Sequence, residues 1–137
     1  MTYTRDIQIE FNHCDPAGIV FYPRYFEMTN SVVENFFADE VGRSFAQMHR
    51  EGMHNGVPTV HIEADFVAPS RLGDKVVFTL RVVKVGGSSV GVEITGRMGE
   101  EMRLRVRLTL VWIDTMKAAR WPDAMRARLE AHLETEA

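Results

Sequence analysis

The chain has a single cysteine, Cys14, so it cannot form an internal disulfide framework, and that economy fits a reducing compartment. No stretch approaches the roughly 20 consecutive apolar residues needed to span a bilayer. The opening residues, MTYTRDIQIEF, alternate in polarity and lack the continuous apolar core of a secretory signal, so the cytoplasm is the expected location. An excess of one charge is missing too. Sixteen basic against nineteen acidic residues leave a net charge of −3, which offers no global attraction to nucleic acid or to an anionic membrane. Low-complexity tracts, internal repeats and linkers are also wanting. What remains is 137 residues with 45% hydrophobic content, enough to build a core, and one domain spanning 1–137 is expected.

Periodicity divides the chain clearly. Ile7, Ile9 and Phe11 alternate with Gln8 and Glu10, the pattern of a strand with one buried face. The stretch 13–22 contains Asp-Pro and Ala-Gly, both loop signals. Pro23 suits the start of a helix, where its missing N–H costs nothing. Met28, Thr29, Val32, Val33, Phe36 and Phe37 then recur at helical spacing, which predicts a helix of about four turns ending near Gly42. A short second helix is expected over 44–51. Beyond it the period changes to two. Val60, Ile62, Ala64 and Phe66 form one apolar row; Val76, Phe78, Leu80 and Val82 form the next. Val90, Val92 and Ile94 follow, with Gly91, Glu93, Thr95 and Arg97 facing out, and Leu104 to Trp112 complete the series. Trp121-Pro122-Asp123 opens a terminal helix with Met125, Leu129 and Leu133 on one side. A strand, a long helix and four strands joined by short turns make an α+β arrangement, a helix laid on an antiparallel sheet.

Chemistry concentrates in residues 11–27, FNHCDPAGIVFYPRYFE. Here a loop delivers a carboxylate, Asp15, just ahead of a helix whose first turn carries unpaired N–H groups and a partial positive charge. A carboxylate and an oxyanion site in one short segment are two of the parts that acyl transfer needs. On spacing alone the same residues read more readily as a plain turn, with Asp15 bonding its own backbone.

The string DPAGIVFYPRYFE resembles the signature of the 4-hydroxybenzoyl-CoA thioesterase family, in its branch with a catalytic aspartate in this loop. A weaker likeness continues through PTVHIEADFVAPSRLGDKVVFTLRVVKVGGSS, so that together they cover most of residues 5–115. The resemblance implies a hotdog fold, an antiparallel sheet of about five strands wrapped around a long central helix, with a further helix at the C-terminus. It implies homodimers or homotetramers with active sites at the dimer interface. The family's acid falls on Asp15, and its oxyanion donor on the backbone N–H of Tyr22. The expected reaction is hydrolysis of an acyl-CoA to acid and free CoA, with Asp15 as nucleophile or general base. No cofactor is expected beyond the CoA of the substrate, and neither nucleic acid nor membrane is an expected partner.

Other residues are weaker candidates. Three consecutive residues, His13 to Asp15, rarely converge on one ion, so no metal site is expected. Cys14 reads as a small packing residue and His13 as a loop histidine. Thr59 and His61, on the strand that also carries Glu63, are candidates to line the substrate. Glu34 and Glu40 lie on the central helix, where some relatives place their acid, but Asp15 makes that option unnecessary. Arg103, Arg105 and Arg107 form a stripe that reads as a solvated face, with Arg97 on a neighbouring strand. Arg71 and Lys84, near turns, are candidates for CoA phosphates.

One departure bears on the substrate. Where relatives that act on phenolic aroyl-CoA esters hold an acidic residue for the phenol hydroxyl, this chain has Asn30, which hydrogen-bonds without charge. An aromatic or a short to medium acyl group is therefore expected. Two rival readings remain at this level. One is a non-catalytic module that binds acyl-CoA or acyl carrier protein, which would have no need of the loop acid. The other is a hydratase of the same fold, which would want a histidine soon after Asp15, and none follows.

Overall fold

The alternating runs become strands of one sheet because each has a single apolar face to bury. The computed structural model describes residues 1–134. In chain order it contains β1 (Tyr3–Gln8), a 3-10 turn (Phe11–His13), α1 (Arg24–Phe36) and a π-helical turn (Phe37–Val41). There follow α2 (Phe45–Met48), β2 (Asn55–Gly56), β3 (Thr59–Phe66), β4 (Lys75–Val85), β5 (Ser89–Met98) and β6 (Glu101–Val111). Two short strands, β7 (Ile113–Asp114) and β8 (Lys117–Ala118), precede α3 (Asp123–Ala131). The main sheet has five strands in the order β1-β4-β5-β6-β3, every neighbouring pair antiparallel. Strands β2, β7 and β8 form a small second sheet that the periodicity did not announce, since pairs of residues carry no pattern.

The core lies between the sheet and α1. The helix buries Tyr25, Met28, Thr29, Val32, Val33 and Phe36, as the 3.6-residue spacing predicts. Facing it are the predicted rows of β4, β5 and β6, with Phe78, Ile94, Leu104 and Val106 fully covered. Each such side chain contributes roughly 1.5–3 kcal/mol through burial. Gly96 leaves room for the Leu104 side chain of the neighbouring strand, which a Cβ at that position would meet. The helix runs on through the π turn and stops at Gly42, whose φ of 91° any side chain would oppose.

Four local expectations are corrected. The first strand stops at Gln8: Glu10 N–H donates to His13 Nδ1 at 2.8 Å, the chain coils, and Phe11 ends 83% exposed instead of inside. Glu93 and Arg103 point to the outer side of the sheet but are covered. Glu93 is clasped by Arg81 and Arg107, both at 3.1 Å. Arg103 is held by Asp74 at 2.8 Å and by Glu101. At the C-terminus α3 ends at Ala131, so His132 turns inward and Leu133 outward. Finally, the apolar row of β3 is largely open. Val60, Ile62 and Phe66 are 60%, 42% and 46% exposed, because β3 is an edge strand and α1 does not cover it.

Candidate active site

The segment between the 3-10 turn and α1 is a loop closed on itself and pinned at both sides. Asp15 N–H donates to Ile19 O at 3.0 Å, and Gly18 N–H donates to Asp15 O at 2.9 Å, with Gly18 at φ 79°. Val20 N–H reaches Ser70 O, and Phe21 N–H reaches His13 O, both at 2.9 Å. Ser70 in turn accepts a hydrogen bond from Arg103, whose guanidinium also holds Asp74. Those bonds from Arg103, with one from the Arg71 N–H, keep the Asp74 carboxyl below the usual carboxylate range. A buried ion pair thus props the turn to which the loop is tied.

The loop places Asp15 half-buried, with one carboxylate oxygen accepting from Ala17 N–H at 2.9 Å. The turn reading is therefore correct for Oδ1. Oδ2 has no hydrogen-bond partner among the described residues, so the carboxylate retains a free oxygen. Seven residues on, the helix begins. The N–H groups of Arg24, Tyr25 and Phe26 are taken by Phe21, Tyr22 and Pro23 carbonyls in the first turn, and Pro23 has none to give. The Tyr22 N–H has no partner among the described residues, and this residue is exposed. Free carboxylate oxygen and free amide thus belong to one loop.

From Tyr22 a groove runs between α1 and β3. Its outer end is a cavity of about 420 Å³ walled by Ile19, Val20, Tyr22, Tyr25, Phe66 and Pro69. Phe66 stands at the centre of an aromatic cluster: stacked on Tyr25 at 5.8 Å, with Tyr22 and Phe26 edge-on at 5.7 and 6.1 Å. Beyond it lie cavities of about 190 and 280 Å³, and both are lined by Asn30 and Thr59. The second of these also takes in Phe45 and His49.

The sequence candidates therefore fall into groups. Asp15 and Tyr22 share the loop, and Asn30 and Thr59 share two cavities. His61 does not join them. A bulge between Thr59 and His61 shifts the register, so Thr59 pairs with core-facing Leu110 while His61 pairs with Thr109. His61 consequently lies on the opposite face of β3, 3.2 Å from Glu63. Arg71 bridges Ile19 at the foot of the loop. Lys84 lies nine residues along β4 from Lys75, roughly 30 Å at strand rise, so the two cations are at opposite ends of the sheet. Glu34 is exposed on α1, and Glu40 lies 3.4 Å from His132, on the far side of the helix run from the loop. Phe66 and His49 also line the groove, although neither is a candidate on sequence: Phe66 reads there as a core residue of its strand, and His49, at the end of a four-residue helix, carries no signal.

Comparison with known proteins agrees with this architecture. The sequence model of the thioesterase superfamily matches residues 35–104, a stretch that begins beyond Asp15 and Tyr22. The chain is 34% identical over 71 residues to 4-hydroxybenzoyl-CoA thioesterase of Pseudomonas sp. (strain CBS-3), covering 52% of this chain and 50% of that protein. It is 26% identical over 83 residues to 1,4-dihydroxy-2-naphthoyl-CoA hydrolase of Synechocystis sp., covering 61% of this chain and 59% of that protein. The chain thus spans between half and three-fifths of the length of the curated relatives it matches. Among solved structures, a probable thioesterase from Bartonella henselae superposes with a TM-score of 0.83 at 20% identity, over 89% of this chain and all of that one. The α1-on-sheet architecture is that of the hotdog thioesterases, and the chain belongs to the thioesterase superfamily.

Proposed function

We infer that this protein is a thioester hydrolase that converts an acyl-CoA to the free acid and CoA. The observation that carries the reading is one loop that leaves an Asp15 oxygen and the Tyr22 N–H unpaired, with Tyr22 lining the head of a groove. A thioester carbonyl seated at the Tyr22 amide is polarised by that donor and by the aligned peptide dipoles of α1. One preorganised donor of this kind is worth about 2.7–4 kcal/mol in comparable acyl-transfer sites. Asp15 then acts in one of two ways. It attacks the carbonyl carbon, expelling CoA thiolate and leaving a mixed anhydride for water to open, or it takes a proton from the attacking water.

The groove takes the acyl group, and its aromatic wall around Phe66 favours a planar one. The curated relatives' names, both of aroyl-CoA hydrolases, argue in the same direction. The open edge of β3, with its exposed Val60 and Ile62, is where a second copy pairs to make a homodimer.

The test is release of free thiol from a panel of aromatic and aliphatic acyl-CoAs, comparing wild type with Asp15→Ala and Asp15→Asn. Both variants are expected to lose about 10²–10⁴-fold in kcat while remaining folded. Wild-type rates in both would remove Asp15 from the mechanism. No thiol release from any substrate would replace hydrolysis with plain acyl-CoA binding.

A further inference from the structure

The segment 67–74, which joins β3 to β4, does two things at once. Val67, Ala68 and Pro69 wall the cavity beside Tyr22, and the turn that follows supports the Asp15 loop. Val20 N–H donates to Ser70 O at 2.9 Å, and Ile19 bridges Arg71. Leu72 N–H reaches Gly18 O at 3.4 Å, and Gly73 N–H reaches Ile9 O at 2.8 Å. Val20 is two residues ahead of Tyr22, so the place of the unpaired amide follows that of Ser70.

One residue of another strand, Arg103 of β6, holds this segment along its length. Its carbonyl accepts from Val67 N–H at 2.9 Å and from Ala68 N–H at 3.2 Å. Its guanidinium donates to Ser70 Oγ at 3.1 Å and to Asp74 Oδ2 at 2.8 Å, while Nε lies 2.6 Å from Glu101. Arg103 and Ser70 are both buried. Stability alone is a weak reason for such an arrangement, because desolvating the charges offsets much of their attraction and packed apolar side chains often serve as well. A buried fork adds a single geometry instead. The guanidinium is planar and rigid, so Ser70 and Asp74 are kept in a set relation to each other. A thioester that must meet the Tyr22 N–H and Asp15 together needs that constraint, since a misplacement of about 1 Å can cost about 10²-fold in rate.

We propose that Arg103 is a positioning residue for hydrolysis: through Ser70 and Asp74 it fixes the loop of Asp15 and Tyr22 against the wall formed by 67–69. The proposal rests on the hydrolase reading above, so one arm of its test needs no turnover. Arg103→Met keeps an unbranched side chain and the carbonyl but removes the fork, and Arg103→Lys keeps the charge. Ser70→Ala removes only the hydroxyl and leaves the carbonyl that Val20 uses. Glu93→Gln is the control, because it breaks a covered ion pair whose partners, Arg81 and Arg107, lie on neighbouring strands and not in the 67–74 segment. Amide hydrogen exchange is followed in the ligand-free protein, and thiol release is measured where circular dichroism shows every variant folded.

Arg103→Met should lower kcat about 10–100-fold with a smaller change in KM. Arg103→Lys should recover part of that loss, and Ser70→Ala should fall between wild type and Arg103→Met. The Val20 and Leu72 amides should exchange faster in these variants, by about tenfold beyond any rise at Val92 and Ile94 of β5. Glu93→Gln should move all four amides alike and leave kcat at the wild-type value. Should Arg103→Met not fold, the lysine and alanine variants are read in its place. The proposal is overturned if the variants of Arg103 and Ser70 keep the wild-type kcat, if Glu93→Gln loses as much, or if exchange rises equally in the loop and in β5. Should wild type release no thiol, the hydrolase reading falls, and the exchange data alone decide whether Arg103 fixes the loop.

Discussion

The two edges of the sheet start from similar sequence and end differently. Both β1 and β3 carry apolar residues on the face towards α1, Tyr3 and Ile7 in one and Ile62, Ala64 and Phe66 in the other. At β1, Tyr3 is buried against Phe36 with ring centres 5.7 Å apart, its hydroxyl donates to Asp39 at 2.6 Å, and Ile9 is fully covered. At β3, seven of the eight residues are exposed, and Ile62 and Phe66 border the groove. The Tyr3 end of β1 is closed by the end of α1 and its π-helical continuation, while a cavity of about 370 Å³ lies between Arg5–Gln8 and the start of α1; β3 is left open along the first half of the same helix. The closed end supplies stability, and the open edge leaves apolar surface uncovered in the protomer, where the proposed acyl group and second copy would gain contact.

The largest effect expected from breaking this contrast is at the closed side. Phe36→Ala empties a fully buried site shared with Tyr3, Phe37 and His132, and should cost about 3–5 kcal/mol in urea unfolding. A loss below about 1 kcal/mol would mean that this edge is not packed as described.

Tyr3→Phe should be intermediate, about 1.5–3 kcal/mol, since a bond to a carboxylate is lost. It also carries a pH signature. Burial first, and the Asp39 hydrogen bond second, push the Tyr3 phenol up from 10.0 to about 12. The folded state therefore holds this proton more tightly than the unfolded chain. Its contribution is complete below about pH 10 and fades as pH rises towards 12. Stability measured across that window should fall more steeply in wild type than in the phenylalanine variant.

The smallest effect on the protomer is expected at the open side. Ile62→Lys should change the intrinsic stability of the folded chain by no more than about 0.5 kcal/mol, its side chain being exposed. It should nevertheless convert the proposed dimer to monomer in light scattering. An unchanged mass would move the second copy away from β3.

The rows of β4, β5 and β6 and the buried face of α1 were legible because a residue that must face the core recurs at the period of its own element. The Asp15 loop was legible through its motif. The bulge at Val60 was not, and it alone decides that Thr59 enters the groove while His61 leaves it. The burial of Arg103 was equally hidden, since its partners Ser70 and Asp74 are about thirty residues away in sequence. His49 reaches Asn30's cavity only because α2 and β2 fold back beside α1.

By itself, then, the sequence determined the long elements of the main sheet and α1, their inward faces and the place of the loop acid, because these follow from local periodicity and from backbone constraints at proline and glycine. Tertiary structure decided which apolar face stays open, which charges become buried and which polar side chains meet in one cavity. Those outcomes depend on strand order and register, which are set by pairings between residues far apart in the chain.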